Sequence, residues 1–143
     1  MKNIYAVFIG VMLLFVSLQN SHAQQVQNKP DDIVGYYLSE DPFTNKKSQV
    51  YIYKAANESY EGTVTWVEDP ELQEFIGYKF LWGLKFNKQE NEWERGVFKY
   101  PGKNGNFKAY MSFPNGLAKL KVRGYWGVAA FGKTLYWTRE KKR

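Results

Sequence analysis

Between residues 33 and 139 the chain is built almost entirely of short runs in which apolar and polar side chains alternate with period two. That period is the one a β-strand presents, with successive side chains on opposite faces, and it leaves little room for helices. In 50–53 it places Val50 and Ile52 on one face; in 60–67, Gly62, Val64 and Trp66. In 106–113 Phe107, Ala109, Met111 and Phe113 oppose Lys108, Tyr110 and Ser112. In 117–126 Ala118, Leu120, Val122 and Trp126 oppose Lys119, Lys121 and Arg123, and in 134–139 Leu135 pairs with Trp137. With 35–38, 80–86 and 93–98 the runs number about eight. Turn chemistry divides them, as in Asn57-Glu58-Ser59, 87–91, 101–105 and Pro114-Asn115-Gly116.

One segment departs from the pattern. Asp69-Pro70-Glu71 supplies an N-cap, a proline at the first helical position and an acid in the first turn. One short helical segment is therefore predicted near residues 70–76, stopped by Gly77. A sequential meander of about eight strands that alternates one face in and one face out predicts an all-β, up-and-down antiparallel barrel. Closure leaves no edge strand exposed. An open sheet or a sandwich is the alternative. The expected inward set is Val50, Ile52, Val64, Trp66, Phe107, Met111, Leu120, Val122, Trp126 and Trp137.

The amino terminus reads differently. Lys2 is followed by an apolar run, 4–18, too short to span a bilayer, which takes roughly 20 residues. Ser21-His22-Ala23 places small residues where a signal peptidase cuts. The expected organisation is a signal peptide over 1–23, a disordered polar leader over 24–32, and a single barrel domain over 33–143. The destination would be periplasmic or secreted, with no transmembrane segment after cleavage. No Cys stands after the apolar run, so a lipid anchor is not expected.

Cleavage would remove His22, the one His, and the chain has no Cys. That excludes Ser-His-Asp and Cys-His nucleophiles, the usual zinc sites and His-ligated haem. No cofactor or metal is expected, and no disulfide holds the core. The formal charge of +6, which becomes +5 once Lys2 is removed, fits solubility or attraction to anionic envelope surfaces in an exported chain, not nucleic acid. Aromatic residues make up 18% of the chain, which favours strands or a binding surface.

Residues 127–134 match the P-loop pattern G-x-x-x-x-G-K-[ST]. A P-loop must open a helix whose N-terminus holds phosphate, whereas Leu135-Tyr136-Trp137-Thr138 reads as strand; a glycine-rich turn is expected. Glu68, Asp69, Glu71 and Glu74 lack EF-hand spacing. Glu92 and Glu94 alternate as a glycosidase pair might, but read as a solvent-facing strand edge. Lys119, Lys121 and Arg123 form a basic stripe on one face, read as the outer wall of the barrel.

Leu81-Trp82-Gly83-Leu84-Lys85, Trp93-x-x-Gly96, Leu120-x-Val122-Arg123-Gly124-Tyr125 and Gly132-x-Thr134-x-x-Trp137-Thr138-Arg139 occur in that order. Together they resemble the exported bacterial proteins of domain-of-unknown-function family 2147. The resemblance spans 33–139 and implies a small lipocalin-like barrel, without implying an activity. Relatives often carry Asp between the Tyr and Pro that adjoin here as Tyr100-Pro101. Some carry a cysteine pair where Tyr125 and Phe131 stand, so an aromatic contact is expected instead.

A lipocalin-like barrel also implies a closure, in which a late arginine covers an aromatic ring of the first strand; Gly35, Tyr37, Trp137 and Arg139 are the residues expected there. The function expected is binding of a small apolar or amphipathic ligand, such as a lipid fragment, by a monomer. Trp82, Tyr125 and Trp126 would rim the site and Arg123 would meet an acidic head group. A protein- or glycan-interaction module with a filled barrel is the alternative, and an enzyme using carboxylates is third.

Overall fold

A computed structural model of the protein describes residues 26–101, 104–127 and 132–143. The expected signal peptide and cleavage site, the start of the leader, Phe131 and the centre of the 127–134 match lie outside the described residues.

Among the described residues, eight strands follow one another: β1 (Gly35–Glu40), β2 (Lys47–Lys54), β3 (Tyr60–Val67), β4 (Lys79–Asn87), β5 (Glu92–Phe98), β6 (Phe107–Ser112), β7 (Lys119–Tyr125) and β8 (Lys133–Glu140). Each pairs antiparallel with the next, and β8 returns to β1 through Tyr36↔Glu140, Tyr37↔Arg139 and Leu38↔Thr138. The result is a closed up-and-down barrel with no free edge. A 3-10 helix over Pro70–Phe75 occupies the predicted helical segment, its Asp69 carboxylate accepting the Glu71 N–H at 3.0 Å. Lys133 and Thr134 lie in β8, so this end of the P-loop-like match is strand.

Strand parity sorts the connections. The β1–β2, β3–β4, β5–β6 and β7–β8 loops share one end of the barrel, and the tighter even-to-odd returns, β2–β3, β4–β5 and β6–β7, share the other with the leader. The two ends differ in filling. At the leader end Ile33, Tyr37, Ile52, Tyr60, Leu84, Trp93, Met111 and Leu120 are each at most 1% exposed.

The leader is part of this closure. The stretch 24–32, expected to be disordered, instead runs from Val26 across the barrel end into a 3-10 helix at Pro30–Ile33. The physical reason is hydrogen bonding that composition does not reveal. The Asn28 N–H donates to Asn91 Oδ1 at 2.8 Å, Asn91 Nδ2 donates to the Val26 carbonyl at 3.1 Å, and the Trp93 indole donates to the Pro30 carbonyl at 2.9 Å. Ile33 then plugs the core with no exposed surface.

Two inward assignments need correction. The β2–β3 register shifts at Gln49/Val50, where Gln49 pairs with Trp66 but Val50 pairs with Val64. The extra residue of this bulge passes the inward place after Val64 to Val67 and turns Trp66 outward. There Trp66 lies under the Arg143 guanidinium at 4.4 Å. Trp126 is the other: β7 ends at Tyr125, and Trp126 is 68% exposed in the loop beyond it.

Candidate ligand-binding site

The barrel is hollow at the four-loop end. A cavity of about 360 Å³ opens there, within the 300–1,000 Å³ typical of small-molecule sites. Its walls are the inward rows of the strands: Val50 of β2, Val64 of β3, Phe80 of β4, Phe98 of β5, Phe107 of β6, Val122 of β7 and Leu135 of β8. Trp137 stands beside Phe80 and Phe98, its ring 6.0 and 6.4 Å from theirs, and separates the hollow half from the packed half. Its indole N–H is buried without a hydrogen-bond partner among the described residues, in contrast to that of Trp93.

Glycine placement explains why space remains. Gly62 and Gly96 have neighbours against them, since an added Cβ would meet Phe80 Cζ at 2.9 Å and Leu84 Cδ1 at 2.9 Å respectively. Gly124, two residues beyond inward Val122, also lines the cavity, but a Cβ built on it would meet nothing within 4 Å among the described residues. A strand position that would ordinarily carry a filling side chain is left empty.

The rim comes from the loops. Leu72 and Phe75 of the 3-10 helix, Phe43, Tyr100, Tyr125 and Trp126 all contribute. Phe43 and Tyr100 belong to hairpins on opposite sides of the strand order, yet their rings meet edge-on at 5.6 Å. Lys133 Nζ sits 4.7 Å from the Phe43 ring centre. Charged side chains that contribute to the lining, Glu40, Asp41 and Lys133, lie at the loop ends of their strands or just beyond them.

The expected site residues divide. Tyr125 and Trp126 are at the rim. Trp82 is a half-buried residue of β4 that does not line the cavity. Arg123 also stands away from the cavity, its Nη1 donating to Thr134 Oγ1 at 3.0 Å between β7 and β8. Strand parity explains this: Arg123 alternates with inward Val122 and Gly124, so it faces outward.

Gly35, Tyr37 and Arg139 come together at the leader end. The Arg139 guanidinium lies 4.9 Å from the Tyr37 ring centre and 5.5 Å from that of Phe113. Its Nε donates to the Leu117 carbonyl at 3.0 Å, Nη1 to the Val34 carbonyl at 2.9 Å, and Nη2 to the Asp32 carbonyl. Gly35 admits this fork, because a Cβ there would stand 2.6 Å from Nη1. The Tyr37 hydroxyl donates to the Ile33 carbonyl at 2.7 Å, and burial pushes its pKa well up against the opposing pull of Arg139. Trp137 is not part of this group; it belongs to the cavity.

Sequence reading missed Phe43, Tyr100, Phe80 and Phe98 as site residues. Loop parity is the signal that would have grouped the first two, since every odd-to-even connection of an up-and-down barrel opens at the same end. Among the described residues no group of three His, Cys, Asp or Glu side chains is placed to hold a metal ion, and no helix is long and apolar enough to cross a membrane.

The fold is similar to that of a solved structure described as "Protein HP1028 from the human pathogen Helicobacter pylori belongs to the lipocalin family". The identity is 16%, the TM-score 0.60, and the match covers 76% of this chain and 82% of that one. No curated protein matches the chain significantly. Residues 35–139 match the bacterial family described as "Uncharacterized protein conserved in bacteria (DUF2147)", and the chain belongs to that family.

Proposed function

We propose that this barrel binds one small apolar or amphipathic molecule in its open half and performs no chemistry on it. The observation that carries this reading is the cavity itself: hollow, apolar-walled, and left open by Gly124 where a side chain would fill it. A space of this size takes one small molecule: an acyl chain or a small ring system. A polar head would stay at the rim, where Glu40, Asp41 and Lys133 lie.

Titration with saturated fatty acids and lysophospholipids, read by tryptophan fluorescence, tests the reading. Affinity should rise with chain length and level off once the chain fills the cavity. Gly124→Phe should abolish binding, because its ring would occupy the open position. Binding that survives Gly124→Phe would place the site elsewhere and sink the proposal.

The amino-terminal segment supports a second part of the proposal, that the protein is exported and processed after Ala23 to work in the periplasm or outside the cell. Intact mass of protein recovered from the envelope or medium tests it. A chain that keeps 1–23 would refute it.

A further inference from the structure

We infer that the open end of the barrel docks on an anionic lipid bilayer. This rests on the ligand-binding reading in one respect: an apolar occupant of the cavity has its reservoir in a membrane. The docking face itself is carried by separate observations.

Large apolar side chains are exposed beside the cavity mouth. Phe43 in the β1–β2 loop is 57% exposed and Trp126 in the β7–β8 loop is 68% exposed. Both line the opening, and Tyr100 of the β5–β6 loop joins them through its edge contact with Phe43. Aromatic rings with a polar tip or a cationic neighbour are the side chains that settle at the bilayer interface.

Charge fixes which lipid surface and which way the barrel faces. Lys46, Lys47, Lys99 and Lys133 are exposed at the same end, on or beside the three aromatic-bearing loops, against Glu40 and Asp41. Asp41 is engaged within its own loop, accepting the Phe43 N–H at 2.7 Å and the Thr44 N–H at 3.1 Å. The acidic residues Glu68, Asp69, Glu71 and Glu74 are collected instead on the β3–β4 loop. An anionic surface therefore attracts the aromatic and lysine side of the mouth and repels the β3–β4 side, tilting the barrel so that the cavity opens obliquely to the lipid. Each lysine near such a surface adds attraction that falls within a Debye length.

The test is co-sedimentation of processed protein, its amino terminus checked by intact mass, with vesicles of phosphatidylglycerol and phosphatidylcholine or of phosphatidylcholine alone. Wild type should bind the anionic vesicles, bind the neutral ones more weakly, and release as salt rises. Phe43→Ser combined with Trp126→Ser should reduce anionic-vesicle binding by about tenfold or more, with an unchanged melting temperature confirming the fold. Gly124→Phe, which blocks the cavity but leaves the rim, should bind vesicles as wild type does. Failure of wild type to bind, or full binding by the double variant, would overturn the docking face. Loss of vesicle binding in Gly124→Phe would show that lipid uptake, and not the rim, holds the vesicle. Vesicle binding with no fatty-acid binding would keep the docking face and overturn the ligand reading alone.

Discussion

The two ends of this barrel are built from the same strands yet are filled in opposite ways. At the leader end Trp93 is fully buried with its indole N–H on the Pro30 carbonyl, Ile33 plugs the axis, and Arg139 ties three backbone carbonyls together. At the loop end Trp137 is buried with its N–H unpaired, Gly124 leaves space open, and a cavity of about 360 Å³ separates walls that would otherwise touch. One end is packed and hydrogen-bonded; the other is held open on the support of the first. A hollow half forfeits dispersion contacts and apolar burial, so stability must concentrate in the packed half, which leaves the other open for the proposed ligand.

The largest contrast should come from truncation. Trp93→Ala removes a fully buried indole and should cost about 3–5 kcal/mol. Phe107→Ala in the cavity wall, already facing open space, should cost about 1 kcal/mol or less. Denaturant midpoints at constant m-value measure both, and equal costs would erase the distinction between the halves.

Arg139 comes next. Arg139→Ala should cost about 1–3 kcal/mol, since it strands carbonyls and uncovers the Tyr37 ring. Arg139→Lys should not restore it, because an ammonium cannot reproduce the planar fork that reaches three carbonyls at once. A midpoint equal to wild type in either variant would mean that the closure contributes nothing.

Trp-to-Phe exchange gives a finer comparison. Trp93→Phe leaves the Pro30 carbonyl without its donor and should cost about 1 kcal/mol beyond the lost ring area. Trp137→Phe deletes a donor that has no partner and should cost little. The smallest effect concerns Glu92, at the packed end of β5. Desolvation, then the charges of Glu94 and Glu90, raise its pKa above the ordinary value, with Lys121 opposing. A folded pKa above the unfolded one favours the protonated form, so this penalty is absent in acid and appears as pH rises through the carboxylate range. Glu92→Gln should therefore stabilise slightly at neutral pH and not at pH 3; a stabilisation of equal size at both would disprove the charge origin.

Much of this was legible in the sequence, because it follows from periodicity and turns. Strand number, closure order and the helical start at Asp69-Pro70 depend on local chemistry. The Arg139 contact with Tyr37 followed from a lipocalin-like pattern. What the alternation could not reveal was the bulge at Gln49/Val50, which arises between two strands and reverses Trp66. Nor could it show the leader's order, which depends on Asn28 meeting Asn91 far along the chain. The cavity was hidden for a related reason. The inward residues are individually large, and only their distribution along the barrel axis, dense near Trp93 and sparse around Gly124, leaves a space.

Methyl chemical shifts followed during titration with dodecanoic acid test the division between the halves most directly. Resonances of Val50, Val64, Val122 and Leu135, which line the cavity, should move and saturate together. Those of Ile33, Ile52, Leu84 and Leu120, in the packed half, should stay in place. Saturable shifts centred on the packed half, or shifts spread evenly through both, would contradict the account.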